Sequence, residues 1–322
     1  MIHSFDKIPA AHMVTVRDAI TVPPVEGRNI PSGVFDDGGT IVDNSRTLMG
    51  GPRWSDIPPY PDPISVHSLP GRHLFGGVGR VHFGHFLIET IPRLWALDHL
   101  DPPVESVIFF PMHGRRTDMP FGRTLRELID LFCGDVPITM IDHPTEIAEL
   151  VVPSQGVGHL NWSTGTPEFR QFVRSRFEAA YKPDGPERLY ISRTRLGNED
   201  SLVDQEDAIE ELMAAAGYTI FHPERYSIRE QVEHLMAAKT VVGADGSAFH
   251  LAAHVLQPGT RVGLIKRRHR TAVFNAIAEQ VKAFGEVDLS TIHPLKPQQE
   301  GEPKARLNMF RLERALRQKG FL

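Results

Sequence analysis

A single cysteine, Cys133, serves the whole chain of 322 residues. One thiol excludes an intrachain disulfide and any metal site built on paired cysteines, and it fits a reducing compartment. It sits in the apolar run Leu131-Phe-Cys133 with no Cys-His signature around it, so it reads as a small buried hydrophobe. Excess positive charge is lacking too. With a formal net charge of −5, broad nucleic-acid binding is excluded, because that needs a basic surface to displace counterions. Any anion site must therefore be local. No apolar stretch approaches the ~20 residues needed to span a bilayer, and the first residues carry neither the basic start nor the apolar segment of a signal peptide. The expected setting is cytoplasmic, with at most peripheral contact with the inner face of a membrane. Internal repeats and low-complexity tracts are also missing.

What is present is an ordinary globular composition, 41% hydrophobic and 23% charged, long enough for two domains with separate cores. Up to about Gly79 the chain is rich in Pro and Gly, with short β-like runs such as 33–42 folded around Asp36-Asp-Gly-Gly39; small strands and loops are expected there. A strand over 104–110, a helix over 123–132 and strands over 137–141 and 146–152 give a βαβ rhythm. The Gly/Ser/Asn stretch 154–165 reads as the connection between domains 1–160 and 161–322. A second rhythm follows. Thr166 with Pro167 and Glu168 opens a helix to about Tyr181. Strands are expected over 188–192, 218–221, 240–242 and 261–265. Helices are expected over 205–216, closed by Gly217; after the capping box Ser227-Ile-Arg-Glu230; over 248–255; and over 272–284, ended by Gly285. A last amphipathic helix over 306–317, with Leu307, Phe310, Leu312 and Leu316 as candidate buried positions, is free to pack on either domain.

Three segments carry possible chemistry. After the strand 188–192 come Arg193 and Arg195, whose planar forks match phosphate oxygens, with Asn198 and Glu199 beyond them; surface salt bridges are the plain alternative. Some forty-five residues later, Gly243-Ala-Asp-Gly-Ser247 offers backbone amides and a helix N-terminus to an anion. Ser247 is an N-cap candidate rather than a nucleophile, since the hydrolase elbow Gly-x-Ser-x-Gly is broken by Phe249. Both loops should emerge at the same edge of a parallel sheet, where α/β proteins hold ligands. The third segment, His82 to Trp95, places His85, Glu89 and Arg93 at intervals of four on one helical face, with Phe86, Leu94 and Leu97 for the core. A Glu89–Arg93 ion pair with a satisfied histidine stands against a carboxylate base with a neighbouring histidine. Pro92 should kink or confine that helix. The pairs His82/His85 and His250/His254 lack a zincin-type carboxylate, so no metal is expected. The run Lys266-Arg-Arg-His-Arg270 reads as a solvated loop that could also aid phosphate or anionic-membrane contact.

Together these segments resemble glycosyltransferase family 61, which includes bacterial capsular-polysaccharide-type transferases. The resemblance rests on His85-Phe-Leu-Ile-Glu89 with Pro92-Arg-Leu94, on Ile191-Ser-Arg193 with Arg195, Asn198 and Glu199, on 227–231 with Ala237-Ala238, and on Val242-Gly-Ala-Asp-Gly246. It implies a GT-B-like α/β fold of two Rossmann-like domains facing across a cleft, and inversion at the anomeric carbon without an obligatory metal or other cofactor. The donor, a nucleotide-sugar with UDP-sugars among the candidates, would sit on the second domain at Arg193, Arg195, Asn198, Glu199, Gly243, Asp245, Gly246 and Ser247. A glycan or lipid-linked glycan acceptor would meet the first domain, with Glu89 as base and His85 beside it. One departure stands out. Asp245-Gly246 occupies the place of the family's usual His-Gly, and an anionic side chain repels a diphosphate unless a cation or another orientation intervenes. A non-catalytic glycan-binding or scaffold relative is therefore the alternative.

Overall fold

The computed structural model describes residues 7–27, 29–50, 53–112, 121–197, 203–298 and 305–322. It divides into two compact units, Met1–Arg176 and Phe177–Leu322, each with a sheet of its own.

The first unit holds a mixed six-stranded sheet. Its strands are β1 (Met13–Val22), β2 (Gly33–Phe35), β5 (His67–Gly79), β6 (Ser106–Pro111), β7 (Ile138–Met140) and β8 (Thr145–Pro153), in the order β2-β1-β8-β5-β6-β7. A small hairpin of β3 (Leu48–Met49) and β4 (Arg53–Trp54) lies apart from it. From β8 to β7 neighbouring strands are parallel, and β1 joins β8 and β2 antiparallel. The expectation of small strands and loops before Gly79 fails at β1 and β5, which run for 10 and 13 residues. Its glycines and Pro70 disguise β5. The register slips at 69/72 and at 75/77, where these residues permit bulges. A Cβ at residue 76 would come within 2.5 Å of the Phe109 ring, so close packing against β6 requires the glycine.

Between β5 and β6 the chain runs through α1 (Phe83–His85), a π turn Phe86–Thr90 and a 3-10 stretch Ile91–His99. Pro92 is the cause of the change in winding. It has no N–H to give and its ring crowds the carbonyl of Ile88, which accepts instead from Gln155 Nε2 at 3.1 Å. α2 (Gly122–Cys133) packs as the second amphipathic layer, and Cys133 is buried as expected, its thiol pushed up to about 12 by burial. The 154–165 stretch is no exposed linker. Ser154, Gln155, Val157 and Trp162 are all buried in the first unit. α3 (Pro167–Ala180) follows, with Phe169 N donating to the Thr166 hydroxyl as the cap reading required.

The second unit is a parallel sheet wound with helices. β9 (Arg188–Ile191), α4 (Glu206–Ala215), β10 (Thr219–Phe221), α5 (Ile228–Ala237), β11 (Thr240–Ala244), α6 (Ala248–Val255), β12 (Arg261–Ile265), α7 (Thr271–Gly285) and β13 (Asp288–Ile292) alternate along the chain, and the strands align as β10-β9-β11-β12-β13. Local signals set most of these bounds. Gly217 takes a left-handed φ of 81° after α4, and the Ser227/Glu230 capping box forms in full. α7 ends differently, because Glu286 rather than Gly285 adopts the left-handed turn, at φ 49°. α8 (Met309–Gln318) packs on this sheet through Leu312 and Leu316, beside Tyr190, Ile209 and Val242. Phe310, expected to be buried, is 74% exposed.

Candidate active site

In the second unit the strand order reverses between β9 and β11, the point where open α/β sheets receive ligands beyond their carboxyl ends. Leu189, Tyr190 and Ile191 are buried in β9, so the chain emerges there with Ser192 and Arg193. A turn closed by Leu196 N donating to Arg193 O at 3.1 Å follows. It separates the two arginines: Arg193 is buried at 8% exposure, while Arg195 lies exposed. Asn198 and Glu199 lie outside the described residues. From β11 comes Gly246, and a Cβ there would stand 2.2 Å from Arg193 Nη1, so the guanidinium rests directly on the backbone of the loop. Gly243 has another task, since a Cβ would strike Ile191 O at 2.9 Å between the two strands. Ser247 occupies the N-cap position of α6, yet its side chain makes no capping bond.

Asp245 is fully buried and turned toward β12. Its Oδ1 accepts from Arg267 N at 2.9 Å, its Oδ2 lies 3.1 Å from Arg268 Nε, and its carbonyl accepts from Arg267 Nε at 2.7 Å. The carboxylate is thus neutralised from within and fastens the 267–268 segment, instead of standing as a bare charge beside an anion. Arg267 is only 8% exposed, which corrects the reading of 266–270 as a solvated loop. Burial, joined by the charges of Arg193 and Arg268, holds the Arg267 guanidinium down at about 10. It remains charged at neutral pH, so three guanidinium groups converge at this edge of the sheet.

The second cluster lies in the first unit. The π turn brings His85 and Glu89 together, with His85 Nδ1 donating to Glu89 Oε1 at 2.6 Å. His159 reaches the same oxygen from the 154–165 stretch, Nε2 to Oε1 at 2.7 Å. Arg80, at the end of β5, sets its Nε 3.1 Å from Oε2. Burial by itself would push the Glu89 carboxyl up; hydrogen bonds from His159 and His85, with the charges of His85 and Arg80, outweigh it and hold the group at about 2. Arg93 does not join. It is fully buried, donating from Nε and Nη2 to the Asn44 carbonyl and from Nη2 to the Arg46 carbonyl, at 3.1, 2.8 and 2.6 Å. The expected Glu89–Arg93 pair is therefore replaced by Glu89–Arg80. Once π and 3-10 turns interrupt the α-helix, an interval of four no longer keeps residues on one face.

Residues 83–263 match the family model described as Glycosyltransferase 61. The chain belongs to that family. No curated protein matches it. The matched span contains all the residues expected to hold the donor or act as base, whereas Arg80, Arg267 and Arg268 lie just outside it. Sequence reasoning missed Arg80 and His159 as members of the two clusters, and named Arg268 only within the basic run 266–270. The signals were slight: a basic run after a strand for Arg268, and a lone histidine among small residues for His159.

The His85, Glu89 and His159 ligand atoms lie within 4.8 Å of one another, so this trio could also hold a metal ion. The pair His250/His254 is engaged elsewhere: His250 Nδ1 pairs with Gln280 Oε1 at 2.5 Å, and His254 is buried with its ring against Phe284.

Glu206, at the start of α4, underlies the arginine edge of this family 61 chain. Its Oε1 accepts from Arg193 N at 3.1 Å and from the Tyr190 hydroxyl at 3.2 Å. Burial pushes its carboxyl up from 4.5 to about 7, against those two hydrogen bonds and the charge of Arg193. A raised carboxyl favours the folded state below its unfolded value, and that contribution is lost as pH rises from 4.5 toward 7. The loss is on the order of 3 kcal/mol. Glu206→Gln keeps an acceptor oxygen and cannot ionise, so its urea-unfolding free energy should be flatter than wild type across that window. Equal slopes would contradict the assignment.

Proposed function

We propose that the protein is an inverting glycosyltransferase that moves a sugar from a nucleotide-sugar to a glycan-type acceptor. The observation that carries this reading is the arginine edge at the β9/β11 reversal: Arg193 laid on Gly246, with Arg267 and Arg268 braced by Asp245. A departing nucleoside diphosphate accumulates negative charge as the glycosidic bond breaks, and preorganised cationic donors stabilise it there. The second unit would hold the donor and the first the acceptor, following the GT-B pattern of two Rossmann-like domains. The proton of the acceptor hydroxyl passes to the histidine–carboxylate cluster of the first unit. A hexosyl, pentosyl or N-acetylhexosaminyl transfer in surface-polysaccharide or related glycan synthesis is consistent with this, as is a lipid-linked acceptor. No described helix is long and apolar enough to cross a membrane, and we place the protein in the cytoplasm with at most peripheral membrane contact. No metal is assigned to the donor.

A non-catalytic scaffold was suggested by Asp245 alone, and its inward, neutralised carboxylate removes that motive. Melting the protein with UDP, GDP, CMP and their sugars separates the two readings. A nucleotide at a hundredfold excess over its Kd should stabilise the folded state by roughly 2.7 kcal/mol and raise the midpoint visibly for one nucleotide class. A flat response to all of them would support the scaffold.

A further inference from the structure

We infer that His85 is the catalytic base of the transfer, and that Glu89 and His159 are positioning residues for it. The inference rests on the transferase reading and concerns which atom receives the proton.

A base must come within hydrogen-bond reach of the proton it removes. The Glu89 side chain is 1% exposed, and its two oxygens are differently occupied. Oε1 already accepts from both imidazoles. Oε2 stands against Arg80 without an aligned hydrogen bond and borders a recess lined by Ile30, Thr47, Met49, Ser55 and Val78, with room for about one water. A water fits that recess. Every feature that makes Glu89 a firm acceptor makes it a poor remover of an acceptor's proton.

His85 has the opposite properties. Its side chain is 34% exposed. An ionised carboxylate only accepts, so Nδ1 of His85 carries a hydrogen, and in the neutral form of the ring the basic lone pair lies on Nε2. That nitrogen makes no hydrogen bond among the described residues. The groups facing the ring are Glu89, His159 at 5.8 Å between centroids and His82 at 5.1 Å, with Arg80 bound to the far carboxylate oxygen. His159 is a weaker candidate. At 17% exposure its Nε2 is spent on Glu89, and its Cε1 corner lies against Gly50, where a Cβ would be 3.4 Å away. In the transfer step the acceptor oxygen bonds to the anomeric carbon and the bond from that carbon to the donor phosphate oxygen breaks. The electron pair leaves with the diphosphate, and the hydroxyl proton goes to His85 Nε2. The resulting imidazolium is stabilised by Glu89, a division of labour shared with the buried carboxylate and imidazole of serine hydrolases.

Water can replace the acceptor, so release of free UDP from UDP-glucose, UDP-xylose and UDP-N-acetylglucosamine by the full chain tests the assignment without a known acceptor. His85→Gln should lower kcat about a hundredfold and erase the acid limb of the pH–kcat/KM profile, with melting confirming the fold. Glu89→Gln and His159→Gln should keep that limb, moved to a different pH. Nitrogen-resolved NMR of the wild type should find that, once the His85 ring has lost its proton, the remaining hydrogen is on Nδ1. Near-normal rates in His85→Gln overturn the assignment, as does hydrogen on Nε2, or activity lost to a chelator and restored by manganese or zinc, which would make the trio a metal site. If the wild type releases nucleotide from none of these donors, nor from the GDP- and CMP-sugars, the transferase reading itself falls and the base assignment with it.

Discussion

Arg193→Ala is expected to cut turnover of the nucleotide-sugar roughly a thousandfold, the upper range for removing one preorganised donor from a developing anion. Binding of UDP should weaken in the same variant, measured by calorimetry. The fold should survive. The Arg193 amide still donates to Glu206 after truncation, and removing the guanidinium recovers its burial cost and its repulsion with Arg267 and Arg268 while giving up its attraction to Glu206 and Asp245. Arg193→Lys should recover only part of the loss, because an ammonium cannot reproduce a flat fork against phosphate oxygens. Gly246→Val provides a check from the opposite side. Its side chain must displace Nη1, which lies 2.2 Å from the position of a Cβ, so it should mimic Arg193→Ala in activity. Unchanged UDP affinity in both variants would remove Arg193 from the donor seat.

The second large effect concerns stability. Arg93→Met should destabilise the first unit by about 3 kcal/mol, or about 10 °C in melting temperature. Two opposed contributions decide the sign. Removing a buried charge recovers its desolvation cost, and burial has already drawn this guanidinium down to about 9. Against that, the carbonyls of Asn44 and Arg46 are left without the donors that satisfy them, and the contact of the guanidinium with the Phe75 ring at 5.5 Å is lost. Unpaired buried carbonyls cost about 1–3 kcal/mol each, and methionine can supply packing but no N–H, so the loss prevails. Arg93→Lys should fall between the two, since one ammonium replaces a fork that spans both carbonyls. A wild-type melting temperature for Arg93→Met would refute the argument.

Much of the second unit was legible from sequence because its determinants are near in the chain. Ser227 caps its own helix with Glu230 three residues on, Gly217 turns the chain immediately after α4, and the buried runs of β9, β11 and β12 are short and uninterrupted. The first unit was less so. β5 is a central strand filled with glycine and proline, and its identity depends on how closely β6 approaches it, a fact no local pattern contains. Phe310 shows the converse. Its spacing suited a buried face, yet α8 covers the sheet with Leu312 and Leu316, flanked by Met309 and Ala315, which leaves Phe310 in solvent.

The sequence by itself determined the alternation of strands and helices, the caps that bound them and the family to which residues 83–263 belong, because periodicity and capping act within a few residues. Tertiary structure decided the partners. Glu89 meets His159 from 70 residues away, Arg93 reaches across 49 residues to Asn44, and Asp245 finds Arg268 across 23. Such pairings depend on which strands lie side by side and on where Pro92 rewinds a helix. Long-range neighbours follow from the burial of whole layers, which gives the same Asp or Glu a different charge, exposure and role according to what the folded chain sets beside it.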